Sequence, residues 1–209
     1  MRVRIKICGI TEPVQARQAV DAGADALGLM FYEPSRRHLR IERGAEICQE
    51  VGPFVSRVGV FVNPEEGYLE SVLKRVPLTH LQFHGEETAQ FCRSFGLPYV
   101  KSVRVAQTTD LLEIESRYPD AQGLLLDTFV KGVHGGTGKI FDWNLAHYGG
   151  QKPLILAGGL DPENVADAIR IGRPYGVDVS SGVETEGVKD PDKMRNFCER
   201  VSACAGGLK

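Results

Sequence analysis

Short apolar segments alternate along the chain with segments that have helical spacing. Eight of the short segments are typical of β-strands, and they cover residues 3–8, 25–31, 57–62, 80–84, 99–105, 123–127, 153–158 and 176–180. Because each is followed by a helical stretch, the strands are expected to pair in parallel through crossover helices. Eight such units predict an α/β protein that forms a closed (βα)8, or TIM, barrel rather than an open doubly wound sheet.

Helix-start signals follow several of these strands. Each combines an N-cap residue with a proline or an acid in the first turn, as in Thr11-Glu12-Pro13, Asn63-Pro64-Glu65-Glu66, Asp161-Pro162-Glu163 and Asp190-Pro191-Asp192. At about 25 residues per unit the barrel leaves no room for an inserted domain, so residues 1–209 are expected to form one catalytic domain. Only two loops are long, residues 32–41 and 128–142, and long loops are often functional.

Composition and charge exclude several classes of protein. The 209 residues are 42% hydrophobic, and 25 basic and 27 acidic residues are interspersed to a formal charge of −2, which argues against a nucleic-acid partner. Apolar runs such as 25–31 are far shorter than the roughly 18–20 residues that span a bilayer. The five cysteines are an odd number without C-x-x-C spacing, which favours reduced thiols. We therefore expect no membrane association and a cytoplasmic location.

Polar residues occur where the predicted strands end. In barrels of this class the active site forms at the carboxyl ends of the strands. Since side chains alternate along a strand, Cys8 shares a face with Arg4 and Lys6, whereas Ile5 and Ile7 face the helices. The same alternation turns further polar side chains inward, namely Gln82, His84, Asp127, Asp178 and Ser180. A ring of polar groups is expected at one end of the barrel.

Each of these residues also has a structural explanation. Cys8 could be a small buried apolar residue, as most free cysteines are. Asp127 directly follows three leucines, and an unpaired buried carboxylate is costly, which favours a functional role. Lys6 could favour the Cys8 thiolate, or it could form an ion pair with Asp178 where the first and last strands meet.

Three glycine and hydroxyl clusters follow strands six, seven and eight. They are Gly135-Gly136-Thr137-Gly138-Lys139, Ala157-Gly158-Gly159 and Ser180-Ser181-Gly182. Backbone N–H groups in such loops can hold a phosphate, and barrels of this class often bind phosphate there. The first cluster is not a P-loop, because Val133 and Ile140 stand where that motif needs glycine and a hydroxyl residue.

Two other residue pairs have the side chains of a binding site. His80 and His84 would lie roughly 13 Å apart on a strand, too far to bind one metal ion, so no metal site is predicted. Arg36 and Arg37 could be solvated charges, or one of them could hold a carboxylate or phosphate through bidentate hydrogen bonds.

These motifs together resemble the phosphoribosylanthranilate isomerase family, whose members act in tryptophan biosynthesis. The resemblance runs in order from residue 3 to about 184, in six blocks. The blocks are KICGIT at 6–11, QFHGEE at 82–87, LLDT at 125–128, GGTGK at 135–139 with FDW at 141–143, GGL at 158–160 with PENV at 162–165, and VDVSSGVE at 177–184.

The resemblance implies a barrel enzyme that needs no cofactor. Its substrate would be N-(5-phosphoribosyl)anthranilate, a phosphorylated sugar joined to anthranilate, which undergoes an Amadori rearrangement to a 1-deoxyribulose 5-phosphate. Cys8 would be the general base, Asp127 the general acid, and Arg37 the residue that binds the anthranilate carboxylate, although Arg36 also stands beside the family's position. His84 and Asp178 are assigned to substrate binding, and the phosphate is assigned to Gly136, Thr137, Gly138, Gly158, Gly159, Ser180, Ser181 and Gly182.

Two alternatives to this activity are less compatible with the sequence. The related barrel of histidine biosynthesis performs the same rearrangement on a bisphosphate, but it uses two aspartates and this chain has Cys8 in one of those places. A catalytically silent phosphosugar-binding protein on the same fold would not need both an acid and a base. The protein is expected to be a monomer or a homodimer.

Overall fold

Eight parallel strands close into a barrel in chain order in the computed structural model, which describes residues 2–106, 108–128 and 143–204. The strands are β1 Arg4–Cys8, β2 Ala26–Met30, β3 Ser56–Phe61, β4 His80–Phe83, β5 Tyr99–Val105, β6 Gly123–Thr128, β7 Leu154–Leu156 and β8 Gly176–Val179. The predicted barrel is thereby confirmed. Each observed strand overlaps its predicted segment, with ends that differ by at most two residues.

The helices that cover the barrel follow the strands. They are α1 Pro13–Asp21, α2 Ile41–Gln49, α3 Glu66–Arg75, α4 Ala89–Arg93, α5 Leu111–Arg117, α6 Val165–Gly172 and α7 Pro191–Cys204. Two 3-10 helices, Trp143–Ala146 and Ser181–Val183, lie after β6 and β8, and a short hairpin of β9 Glu184–Thr185 and β10 Val188–Lys189 precedes α7. No helix in the described part of the chain is both long and apolar enough to cross a bilayer.

The predicted helix starts are close to the observed ones. Asp190 caps α7, because its Oδ1 accepts hydrogen bonds from the backbone N–H groups of Asp192 and Lys193 at 3.0 and 3.2 Å. At α1 the N-cap is Glu12, one residue later than the hydroxyl that the sequence offers at Thr11. These caps fix where each helix leaves the strand before it.

The hydrophobic core lies between the barrel and the helices. Ile5 and Ile7 belong to this layer, as strand alternation predicts, together with Leu27, Leu81 and Phe83 from neighbouring strands. Burying each such side chain stabilises the fold by about 1.5–3 kcal/mol. Because the outer faces are used in this way, the inner faces are left to the polar residues that form the site.

Of the two long loops, the first is described in full. It begins after β2 and ends at Ile41, and the Leu39 N–H donates to the Met30 carbonyl at 2.9 Å. This bond turns the loop back along β2, so that residues 32–37 lie over the barrel end. The second predicted loop, 128–142, lies outside the described residues except for Thr128, which ends β6.

Candidate active site

A cavity of about 580 Å³ opens where the carboxyl ends of the barrel strands meet. This cavity is lined by most of the residues that the sequence predicts for the site, namely Cys8, Arg37, His84, Asp127, Gly158, Gly159, Asp178, Ser180 and Ser181. They come from both halves of the chain, and the barrel brings them together because parallel strands all end on the same side. The volume suits a small organic ligand.

Cys8 ends β1 and is buried at the wall of this cavity. On the neighbouring strand it faces Gly28, where an added Cβ would lie 2.5 Å from the Cys8 Sγ. A glycine is therefore needed opposite the thiol. Burial raises the pKa of Cys8, because the thiolate loses its hydration, and the Lys6 ammonium opposes this shift only in part.

Asp127 is held by a histidine from a different strand. The His84 Nε2 lies 3.1 Å from the Asp127 Oδ2, and the His84 Nδ1 lies 3.1 Å from the Gln82 amide nitrogen. Gln82 in turn donates to the Ser102 hydroxyl at 3.2 Å. The imidazole of His84 therefore lies between the Gln82 amide and the Asp127 carboxyl group, with one ring nitrogen directed at each.

The ion pair considered for Lys6 is present where β1 meets β8. Lys6 and Asp178 are paired in register, and the Lys6 Nζ lies 2.9 Å from the Asp178 Oδ1. Burial alone would lower the pKa of Lys6, but Asp178 and Cys8 together outweigh this effect and the pKa is raised. Lys6 therefore stays charged. It forms the ion pair with Asp178 and also lowers the pKa of Cys8.

Only some of the residues assigned to phosphate binding line the cavity. Gly158 and Gly159 line the cavity with positive φ angles of 76° and 67°, a conformation that glycine adopts without strain. Ser180 and Ser181 also line it, and the Ser180 hydroxyl donates to the Cys8 carbonyl at 2.9 Å. Gly182 packs against the Leu160 carbonyl, where a Cβ would overlap the oxygen. Gly136, Thr137 and Gly138 lie outside the described residues.

The two adjacent arginines share one partner, Glu184. Arg37 binds it in a bidentate geometry, with Nε 2.7 Å from Oε1 and Nη2 2.8 Å from Oε2, and Arg36 adds one bond at 2.8 Å to Oε2. Burial would raise the pKa of Glu184, but the hydrogen bonds from Arg37 and Lys189 lower it overall, so the carboxylate is ionised.

Some residues at the site were not identified from the sequence. Arg104 lines the cavity and is in register with Asp127 across β5 and β6. Strand alternation predicts its inward direction, because it is the last residue but one of β5, as Asp127 is of β6. Glu184 ends the resembling block 177–184, which gives it no role, and Lys189 lies outside every block; both belong to the short hairpin beyond the last barrel strand.

This arrangement suits proton transfer at two points of one ligand. A thiol on β1 and a carboxyl group on β6 open onto the same cavity, and the carboxyl group contacts His84. Among the described residues no three His, Cys, Asp or Glu side chains are grouped in a way that could hold a metal ion.

Comparisons with known proteins point to one family. The family model described as N-(5'phosphoribosyl)anthranilate (PRA) isomerase matches residues 5–200. The N-(5'-phosphoribosyl)anthranilate isomerase of Acidithiobacillus ferrooxidans is 55% identical over 201 residues, 95% of this chain and 97% of the relative. The enzyme of the same name from Thiobacillus denitrificans is 50% identical over 97% of this chain and 100% of the relative.

Solved structures of the same name match nearly the whole chain. The crystal structure of phosphoribosyl anthranilate isomerase from Thermotoga maritima superposes with a TM-score of 0.88 and 42% identity, over 96% of this chain and 99% of the other. A structure of such an isomerase in complex with reduced 1-(o-carboxyphenylamino)-1-deoxyribulose 5-phosphate has a TM-score of 0.83 and 39% identity over the same shares. This chain therefore belongs to the N-(5'-phosphoribosyl)anthranilate isomerase family.

Proposed function

We propose that this enzyme catalyses the Amadori rearrangement of N-(5-phosphoribosyl)anthranilate to 1-(2-carboxyphenylamino)-1-deoxy-D-ribulose 5-phosphate in tryptophan biosynthesis, with Cys8 as base and Asp127 as acid. The observation that carries the proposal is that both groups open onto one cavity in a chain that belongs to this family. A relative of 39% identity was solved with a reduced form of that product.

The reaction begins at the ring oxygen of the ribose. Asp127 gives its proton to this oxygen, the bond from the oxygen to C1′ breaks, and the anthranilate nitrogen forms a cationic Schiff base with C1′. The carboxylate left on Asp127 is then stabilised by the hydrogen bond from the His84 Nε2, 3.1 Å away. His84 therefore acts through Asp127 in addition to lining the substrate cavity.

Cys8 completes the rearrangement at C2′. The thiolate removes the C2′ proton, and the electron pair neutralises the Schiff base to give an enolamine, which tautomerises to the ketone. Burial holds the free Cys8 as a thiol, so the substrate must help to ionise it. The positive charge of the Schiff base, next to C2′, and the Lys6 ammonium both favour the thiolate.

The remaining polar residues bind the substrate. Arg37 binds the anthranilate carboxylate, supported by its low exposure and its position on the cavity. Asp178, held in place by its ion pair with Lys6, accepts a hydrogen bond from a ribose hydroxyl. Backbone and hydroxyl groups of the clusters after β7 and β8 bind the phosphate, together with the segment 136–138.

The test uses fluorescence. Phosphoribosylanthranilate is generated in place from anthranilate, and purified protein should remove its fluorescence without added metal or nucleotide. Activity should be unchanged when a chelator is present. A strict requirement for a metal ion, or no loss of fluorescence, would contradict the proposal.

Three further expectations accompany this function. Residues 1–209 form one catalytic domain, which limited proteolysis tests. The enzyme works in the cytoplasm, which cell fractionation tests. It is a monomer or a homodimer, which light scattering tests. A structure from Thermotoga maritima, 39% identical to this chain, is described as monomers generated from a dimeric isomerase.

A further inference from the structure

Glu184 is a single carboxylate that three cations share. Its side chain is 4% exposed, and it accepts hydrogen bonds from Arg36, Arg37 and Lys189. Lys189 lies 2.7 Å from the Oε1 atom that Arg37 also contacts. The group carries one negative and three positive charges beside the cavity, so it suits an anionic ligand group.

The two arginines differ in how firmly they are held. The Arg37 side chain is 14% exposed and the Arg36 side chain is 60% exposed. Within the described ranges, Arg37 uses its Nε and one Nη2 hydrogen on Glu184, and a guanidinium has three further N–H donors. Arg37 is thus oriented by one carboxylate and can still bind a second one from a ligand in the cavity.

The same group is attached to the backbone at Cys8. Lys189 donates to the Ser180 carbonyl at 3.0 Å, and the Ser180 hydroxyl donates to the Cys8 carbonyl at 2.9 Å. Gly9, which follows Cys8 with φ +81°, leaves the space that the Arg37 Cδ occupies, because a Cβ there would overlap that atom. The position of Arg37 relative to Cys8 is therefore fixed on both sides.

We propose that Glu184, with Lys189, is a positioning residue that holds the Arg37 guanidinium relative to Cys8 and thereby selects substrates whose aromatic amine carries a carboxylate. This inference rests on the proposed function, in which Arg37 binds that carboxylate and Cys8 removes the proton. Without the Glu184 charge, Arg36, Arg37 and Lys189 repel one another, and Arg37 leaves the orientation that the ligand needs.

The test compares two ligands that differ only in the carboxylate. Ribose 5-phosphate condensed with anthranilate or with aniline, rearranged and reduced with borohydride, gives the carboxylated compound and its phenyl counterpart. For Glu184→Gln, calorimetry should show a Kd for the carboxylated compound raised roughly 10- to 100-fold, as for a lost charge-assisted contact. The Kd for the phenyl compound should change less than about 3-fold.

Variants separate this role from a structural one. Glu42→Gln, in an exposed pair with Arg75, is the matched control and should alter neither Kd. A Glu184→Gln protein that binds both compounds equally weakly, or both as the wild type does, would overturn the proposal. If Arg37→Ala does not discriminate between the compounds, the carboxylate assignment in the proposed function fails instead. Circular dichroism and the urea midpoint report whether each variant is folded.

Discussion

The imidazole of His84 contacts the carboxylate of Asp127 at 3.1 Å, from Nε2 to Oδ2, across two strands of the barrel. Neither residue would be held as firmly alone. Gln82 orients the imidazole from the same strand as His84, and Ser102 orients Gln82 from the next strand. The proposed general acid therefore belongs to a chain of polar contacts that begins inside the barrel.

Replacing His84 should impair the chemical step more than binding. His84→Ala removes the donor that stabilises the Asp127 carboxylate after proton transfer, so kcat should fall roughly 10- to 100-fold. KM should stay within a few-fold of the wild-type value. His80→Ala, at the start of β4 and away from the active-site cavity, is the matched control and should retain normal kinetics. Equal kcat values for the two variants would refute the role given to His84.

Removing the acid or the base should be more damaging. Cys8→Ser and Asp127→Asn should each lower kcat by about two to four orders of magnitude, the range typical of general acid or base groups. KM should change only a few-fold, because neither group is proposed to supply much ground-state binding. Steady-state fluorescence assays measure both constants. A variant with near-normal turnover would show that its residue has another role.

The reactivity of Cys8 should increase with pH, because burial raises the pKa of its thiol. Because the pKa of the buried thiol is raised, the thiolate is a minority form at neutral pH and its fraction grows as the pH rises. Alkylation of Cys8, followed by mass spectrometry, should therefore accelerate into the alkaline range. Lys6→Met removes a charge that lowers this pKa, so the same curve should move to higher pH. A curve that moved to lower pH would contradict the electrostatic argument.

Gly28 should be intolerant of a side chain because of Cys8. An alanine Cβ would lie 2.5 Å from the Cys8 Sγ and 2.9 Å from its Cα, closer than real Cβ atoms approach. Gly28→Ala should displace the thiol and lower kcat by about 10-fold or more, since small errors in position are costly to proton transfer. Gly67→Ala, at a glycine with open space around it, is the control. Normal kcat for Gly28→Ala would show that the thiol can move without loss.

A buried ion pair behind the site should matter for stability. Lys101 contacts Glu87 at 3.1 Å, with side chains 4% and 2% exposed, and Glu87 also accepts bonds from the Gly85 backbone. Lys101→Met leaves that carboxylate buried and unpaired, so the free energy of unfolding should fall by about 3–5 kcal/mol.

Urea unfolding measures this change. The exposed pair of Arg117 and Glu113 provides the comparison, and Arg117→Met should alter the free energy of unfolding by less than about 1 kcal/mol. Similar decreases in the free energy of unfolding for Lys101→Met and Arg117→Met would mean that the burial of Lys101 does not affect stability.

Much of the site could be predicted from strand alternation. The inward direction of Cys8, Asp127 and Asp178 follows from a period of two along each strand, and all three line the cavity at the end of the barrel. Arg104 could have been found by the same rule. The partners of these residues were harder to identify, because Glu87, Lys101, Glu184 and Lys189 have no motif that links them.

The sequence by itself determined the order of strands and helices, the barrel, and which polar residues stand at strand ends. These follow from local periodicity and from the requirement that parallel strands bury their outer faces. Only the tertiary structure decided which distant residues touch. Arg37 and Glu184 are 147 positions apart, and their bidentate contact exists because the closed barrel brings the loop after β2 beside the hairpin after β8. A contact of this kind depends on the three-dimensional path of the chain, which no local pattern specifies.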